Sequence, residues 1–256
     1  MPVASIVICH RSKGMRSVLR NLQTGREHAI RERRHLTHHG ITKLLRRVYY
    51  PAYAFTGYDE GTAATDRSTR GQKFGSMVDS AACAIVHQYR DRLTRHFRGH
   101  LKTRPELRAM LHGVNEAYAR RLLLALLRYG FTPIDAQVPV TSADAPLRTE
   151  VDIVCHDDAG GGVVLIELKC GFCGYRTRAH GKMRHELGDH PDSPETQHHL
   201  QLALTTRMFR QTYTEITRIQ AFVVYCDDRG VTRQALRPWA ARVAKAATLR
   251  LARNAK

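Results

Sequence analysis

The sequence predicts an α/β or α+β fold in which a small mixed sheet is flanked by helices. The main observation is that the spacing of the apolar residues changes near residue 130. Before it, residues 73–93 place apolar side chains three or four apart, as a helix requires. After it, residues 149–155 and 163–169 are short apolar runs separated by the Gly-rich stretch 156–162, a pattern typical of a β-hairpin. The order helices, strand, hairpin, helix, strand, helix favours one mixed sheet with helical layers.

The N-terminal half is predicted to be helical and basic. Residues 26–40 read as an irregular basic helix or arm, and residues 41–50 have helical spacing that Pro51 ends. Residues 56–72 have the composition of a loop, whereas 104–130 are expected to form one long helix. We expect two regions, a basic N-terminal arm with helices at 1–70 and a core with a basic C-terminal helix at 71–256. The remaining expected elements are a strand at 135–140, a basic loop at 171–196, a helix at 194–213, a strand at 218–228 and a helix at 237–256.

The charge of the chain points to its partner. The 256 residues include 41 Lys and Arg against 23 Asp and Glu, a formal net charge of +18. Because phosphate neutralisation supplies most non-specific affinity for nucleic acids, nucleic acid is the first candidate partner. An anionic membrane surface is the second, although no apolar run approaches the roughly 20 residues of a membrane span.

The cysteines and the N-terminus suggest a reducing, intracellular location. Six cysteines are scattered through a chain too long for a disulfide-stapled scaffold. No secretory signal is apparent. The first 26 residues hold five basic residues and no acid, which suits a mitochondrial transit peptide and a nucleic-acid-binding arm equally well. Nucleus and mitochondrion are therefore not distinguished.

The expected hairpin gathers charged residues. Glu167 and Lys169 end an apolar strand and share one face, as do Glu150 and Asp152 on the preceding strand. Clustered carboxylates repel one another unless a cation lies between them, and hard divalent cations prefer oxygen ligands. On so basic a protein, this set favours metal-assisted hydrolysis of a nucleic-acid phosphodiester.

These residues also resemble a known family. Asp152, fourteen intervening residues and then Glu167-Leu168-Lys169 resemble the D…E-x-K signature of the PD-(D/E)xK nuclease superfamily. The resemblance covers roughly residues 71–226 and implies a restriction-endonuclease-like core. It also implies that Asp152, Glu167 and the Leu168 carbonyl bind Mg²⁺ or Mn²⁺, and that Lys169 positions the attacking water.

Further positions are similar to the RecB-like branch, which includes phage and viral alkaline exonucleases. Gly75 and Asp79 match its helical G-x-x-x-H pattern except that aspartate replaces histidine. Gln201 matches its Q-x-x-x-Y pattern, with Thr205 in place of tyrosine, and Gln137 stands where an acid is common. The branch implies that Asp79 is a further metal ligand and that Gln201 orients the site or touches the phosphate. It implies a DNA exonuclease of replication, repair or recombination.

Other interpretations of the same residues stay open. Glu167 and Lys169 could be the solvated end of a strand, paired with each other or with a neighbour, and Asp79 and Asp152 could be ordinary surface acids. The protein would then be a non-catalytic nucleic-acid-binding protein, and an endonuclease or resolvase on the same fold is a further alternative. Cys170 and Cys173 with His180 and His185 could form a non-standard zinc site.

Overall fold

A computed structural model describes residues 17–27, 39–50, 66–95, 103–112, 116–170, 179 and 181–255. Its helices are α1 (17–27), α2 (Ile41–Tyr49), α3 (Asp66–Arg95), α4 (Thr103–His112), α5 (Ala117–Arg128), α6 (Pro194–Thr212) and α7 (Pro238–Arg253). Its strands are β1 (His39–Gly40), β2 (Phe131–Thr141), β3 (Leu147–Asp157), β4 (Val163–Cys170), β5 (Ile219–Asp227) and β6 (Gly230–Ala235).

The six strands form one mixed sheet, as the fold-class prediction requires. β2, β3 and β4 are antiparallel neighbours, β4 and β5 are parallel, and β6 pairs antiparallel with β5. β2 pairs with nearly the whole length of β3, so β1 and β4 must share the other edge of β3. β1 uses that edge at Leu147 and Arg148, and β4 uses it at 153–156. Between these two contacts the edge of β3 carries no partner strand among the described residues.

Helices cover both faces of the sheet. Cys226 on β5 contacts the Tyr118 carbonyl of α5, and α3 passes close to Cys170 on β4. The residues one position earlier, Lys169 and Tyr225, instead contact α6. Because consecutive strand residues point to opposite faces, α3 and α5 lie on one face and α6 on the other. The resulting three layers enclose a hydrophobic core to which α1 and α2 also contribute.

The structure corrects two helix predictions. Residues 66–72, expected as part of a loop, are the start of α3, and Asp66 suits a helix N-terminus because its charge complements the helix dipole. The single helix expected at 104–130 is two helices, α4 and α5. Gly113 is a poor helix former, and the Glu116 side chain caps α5 by accepting from the Ala119 N–H.

The predicted strands were right in place, and β2, β3 and β4 extend beyond their predicted ranges, whereas β5 is slightly shorter than predicted. β2 runs from Phe131 to Thr141 where only 135–140 was expected, and the hairpin of β3 and β4 is confirmed. Strand β6 was missed because its residues are mostly half-buried or exposed and follow no clear alternation. Helices α2, α6 and α7 are confirmed.

Several predictions concern residues that the structure does not describe. Most of the basic stretch 26–40, the part of the expected loop before residue 66, and residues 171–178 lie outside the described residues. The described remainder of the loop before α6 contains a 3₁₀ turn at His185–Leu187. The division at residue 70 stays a prediction. None of the described helices is long and apolar enough to cross a membrane.

Candidate functional site

The site begins where the β3–β4 ladder ends. The last paired residues are Ile153 and Ile166, and beyond them β5 is the partner of β4 among the described strands. Extending the same register by one step places Asp152 opposite Glu167. Directly opposed residues of antiparallel strands present their side chains on one face. The fold therefore brings the two predicted carboxylates together at a fork between the strands.

The Asp152 side chain supplies a hydrogen bond where the backbone ladder between β3 and β4 has ended. Its Oδ2 accepts a hydrogen bond of 2.7 Å from the backbone N–H of Leu168. A backbone donor at this depth would otherwise lose a partner when the strands separate. This bond fixes the Asp152 carboxylate against the Glu167–Lys169 segment.

Glu167 is the most enclosed member of the site. Its side chain is 1 % exposed, and its Oε1 lies 2.6 Å from Lys169 Nζ. The two groups form an ion pair, although Oε1 accepts no hydrogen bond of acceptable geometry from the described residues. Glu167 is therefore not solvated, but its pairing with Lys169 agrees with the alternative of a paired strand end. A buried carboxylate oxygen that accepts no hydrogen bond also suits a ligand atom.

Helix α6 positions Lys169 from the side. Lys169 Nζ donates to Gln201 Oε1 over 3.3 Å, which joins two predicted site residues that are 32 positions apart in the chain. Two neighbours of this contact, Tyr225 and His198, were not predicted from the sequence. Tyr225 is the register partner of Lys169 on β5, and its hydroxyl lies 3.3 Å from Nδ1 of His198. His198 and Gln201 are three residues apart on a helix and therefore share one face, and this spacing could have indicated that both lie near the site.

Asp79 approaches from the opposite layer. It lies on α3, is half-buried, and its Oδ1 accepts from the Cys83 thiol over 3.6 Å. The same thiol lies 4.0 Å from the carbonyl oxygen of Asp152. Burial raises the pKa of Asp79, while the Cys83 hydrogen bond and the charge of Lys169 lower it. Asp79 is therefore close enough to join the electrostatics of the site.

The pKa of Asp152 reflects the crowding of negative charge. Burial raises this pKa well above its usual range, and the carboxylates of Glu167 and Asp79 raise it further. The charge of Lys169 and the Leu168 N–H oppose the shift but do not cancel it. Additional positive charge in the site would therefore favour the ionised form of Asp152.

The donor set suits a hard divalent cation. No group of three or more His, Cys, Asp or Glu side chains among the described residues has the geometry of a complete metal site. Mg²⁺, however, is commonly held by one or two carboxylates and retains several waters. The carboxylates of Asp152 and Glu167 match such a partial set, and Glu167 Oε1, which forms an ion pair with Lys169 but accepts no hydrogen bond from the described residues, fits a ligand role.

Only some of the residues of the alternative zinc site are among the described residues. Cys173 and His180 lie outside the described residues, so this site stays a prediction. Cys170 faces Cys226 across the parallel β4–β5 pair, and both are free thiols. Their mutual hydrogen bond lowers the pKa of Cys226 and raises that of Cys170.

Comparison with known proteins does not assign the chain. No family model matches it, and no curated protein does.

Proposed function

We propose that the chain is a metal-dependent nuclease that hydrolyses DNA phosphodiester bonds at the strand fork. One observation carries this proposal. Asp152 and buried Glu167 oppose each other at the end of the β3–β4 ladder, with Lys169 as their nearby cation. Carboxyl groups whose pKa is perturbed by burial and by a specific charged neighbour cluster at functional sites.

The proposed metal is Mg²⁺ or Mn²⁺. Asp152, Glu167 and the Leu168 carbonyl would hold it, and Asp79 is the candidate for a further ligand. When bound, such a cation supplies compensating charge and Lewis-acid polarisation of a phosphoryl oxygen. The raised pKa of Asp152 supports the need for that charge.

The protein's own groups provide orientation. Lys169, held between Glu167 and Gln201, offers N–H donors to the attacking water or to a phosphoryl oxygen. The water oxygen forms a new bond to phosphorus, the bond from phosphorus to the leaving sugar oxygen breaks, and the leaving oxygen takes up a proton. Gln201 restricts the Lys169 side chain and so keeps the Lys169 ammonium oriented toward the reacting atoms during this step.

The charge of the chain supports nucleic acid as the substrate. A net charge of +18 favours a phosphate backbone over neutral or cationic ligands. DNA and attack from chain ends are proposed on the resemblance to the RecB-like exonucleases.

The test is digestion of end-labelled linear duplex DNA and closed circular DNA with Mg²⁺, Mn²⁺ or EDTA. Wild type is compared with Asp152→Ala and Lys169→Ala. Glu150→Gln is the matched control, because Glu150 lies on the same strand face but is exposed.

Cation-dependent loss of linear DNA alone, abolished in both site variants and kept in the control, is the expected result. Cutting of circles as well would retain the site and change the function to endonuclease. Salt-dependent DNA binding with no cleavage by the wild type would overturn the proposal in favour of a binding protein.

A further inference from the structure

Gln137 occupies an unusual backbone position beside the site. Its φ is +49°, in the left-handed region, although it lies in the middle of strand β2. A residue with a Cβ rarely adopts this region, and glutamine is not among the residues that tolerate it best. The ladder partners on either side, Ala136 with Ile153 and Val138 with Val151, place Gln137 at the level of Asp152.

The register makes this position part of the candidate site. Gln137, Asp152 and Glu167 lie at one level across the three strands β2, β3 and β4. Every other residue of β2 is buried, whereas Gln137 is exposed. Its side chain makes no hydrogen bond to any described residue. The fold thus leaves one polar side chain accessible at the level of the carboxylates.

Neighbouring side chains hold this conformation in place. The Ala136 carbonyl accepts from Arg26 Nη2 at 3.1 Å and lies 2.9 Å from His87 Nε2. Two residues beyond Gln137, the Pro139 carbonyl accepts from the Tyr213 hydroxyl at 3.0 Å. Strained backbone persists only where its surroundings determine it, and such residues cluster at active sites. These three contacts from α1, α3 and the end of α6 meet that condition.

We propose that Gln137 is a substrate-contacting residue whose side-chain amide donates to the sugar–phosphate backbone of bound DNA, next to the scissile phosphate. This assignment rests on the proposed nuclease function. The left-handed backbone re-aims the side chain out of the buried strand, as β-bulge residues do beside active sites. An amide supplies N–H donors without adding negative charge to a site already rich in carboxylates.

The test separates the strain from the contact by comparing Gln137→Gly with Gln137→Ala. Both variants remove the amide, but only glycine relieves the left-handed backbone. Both should lower kcat/KM about 10-fold, mainly through KM, because a contact to a non-reacting phosphate is made equally before and during the reaction. Only the glycine variant should raise Tm, by about 2–4 °C. Gln137→Asn, which keeps an amide and tolerates the left-handed region, should recover part of the KM.

The outcomes are decisive in each case. Unchanged kcat/KM in the Gly and Ala variants would overturn the substrate contact. A glycine variant that melts no higher than the alanine variant would overturn the strain argument and make Gln137 an ordinary strand residue. Activity that falls only in proportion to folded protein would assign it a structural role. A wild type without cation-dependent cleavage would remove the proposed function itself, and the Gln137 assignment with it.

Discussion

Two carboxylates on adjacent strands, Asp135 on β2 and Asp152 on β3, have opposite electrostatic surroundings. Asp135 is 3 % exposed and accepts from Arg26 at 3.0 Å, Arg90 at 2.8 Å and the Ala136 N–H at 2.9 Å. Asp152 accepts from Leu168 N–H and shares one nearby ammonium, Lys169, with Glu167 and Asp79. Among the described residues, one carboxylate contacts two guanidinium groups at the first cluster, whereas three carboxyl groups lie near one ammonium at the second.

The difference indicates what each cluster contributes. The Asp135 cluster joins α1 and α3 to β2 and satisfies its buried charge, so it contributes to the fold. The Asp152 cluster brings three carboxyl groups to the charge of Lys169, which raises the pKa of Asp152 and would be relieved by a bound cation. We therefore assign stability to the Asp135 cluster and the proposed function to the Asp152 cluster on the adjacent strand.

The largest expected effect is the loss of cleavage in Asp152→Asn. This change keeps the shape of the side chain but removes the charge that a cation needs, so the cleavage rate should fall about 10³-fold. Initial rates on linear duplex DNA at saturating Mg²⁺ measure it. The same exchange at the other cluster, Asp135→Asn, should leave more than a tenth of the rate per folded molecule. Equal losses would remove the distinction between the clusters.

The free energy of unfolding should show the opposite order, with a larger loss in Asp135→Asn than in Asp152→Asn. Asp135→Asn removes the buried carboxylate that Arg26 and Arg90 share, although Arg90 keeps its contact with Asp91, and it should cost about 2–3 kcal/mol. Asp152→Asn removes repulsion from Glu167 and Asp79, so without divalent cations it should not lower the free energy of unfolding. Urea denaturation of both variants in EDTA tests this. A more damaging exchange at Asp152 than at Asp135 would contradict the comparison.

Added Mg²⁺ or Mn²⁺ should stabilise the wild type selectively. A cation bound only by the folded state, at 100 times its Kd, adds about 2.7 kcal/mol, or about 5–10 °C in Tm. Asp135→Asn should show the same rise in Tm, and Asp152→Asn should show almost none. A rise of equal size in Asp152→Asn would place the cation elsewhere.

The pH dependence of stability should also identify Asp152. Because its pKa is raised in the folded state, folding takes up a proton there, and the resulting stability is present at low pH. That contribution is lost as pH rises from about 4 through the folded pKa. Without divalent cations, the stability of wild type relative to Asp152→Asn should therefore decline with rising pH. A difference that is flat or rises with pH would show that the pKa is not raised.

The smallest expected effect is at Glu150. It shares the strand face of Asp152 but is exposed, so solvent screens its charge. Glu150→Gln should change the cleavage rate by less than about 3-fold. A loss comparable with that of Asp152→Asn would extend the site along β3.

The sequence allowed the carboxylate pair to be predicted because its cause is local. Strand alternation places Glu167 with Lys169 and Glu150 with Asp152, and the Gly-rich turn at 156–162 joins the two strands. The fork itself depends on where the β3–β4 ladder ends, and β1 and β5 help to set that point from distant parts of the chain. Local periodicity contains no such information.

Other features could not be predicted from the sequence because they also depend on contacts between distant parts of the chain. The contact of Lys169 with Gln201, and the two arginines around Asp135, join residues far apart in sequence. The left-handed backbone at Gln137 breaks the ladder inside a strand that shows no glycine or asparagine to announce it. Among the described strands, β6 pairs with β5 alone, and it carries polar residues, so its periodicity is weak.

The most direct test of the central claim is calorimetric titration of the protein with Mn²⁺. Wild type, Asp152→Asn, Glu167→Gln and Glu150→Gln are compared in the absence of DNA. The charge imbalance at the fork predicts cation binding by wild type and by Glu150→Gln, and its loss in the other two variants. Binding that is absent from the wild type, or unchanged in Asp152→Asn and Glu167→Gln, would contradict a metal site at the strand fork.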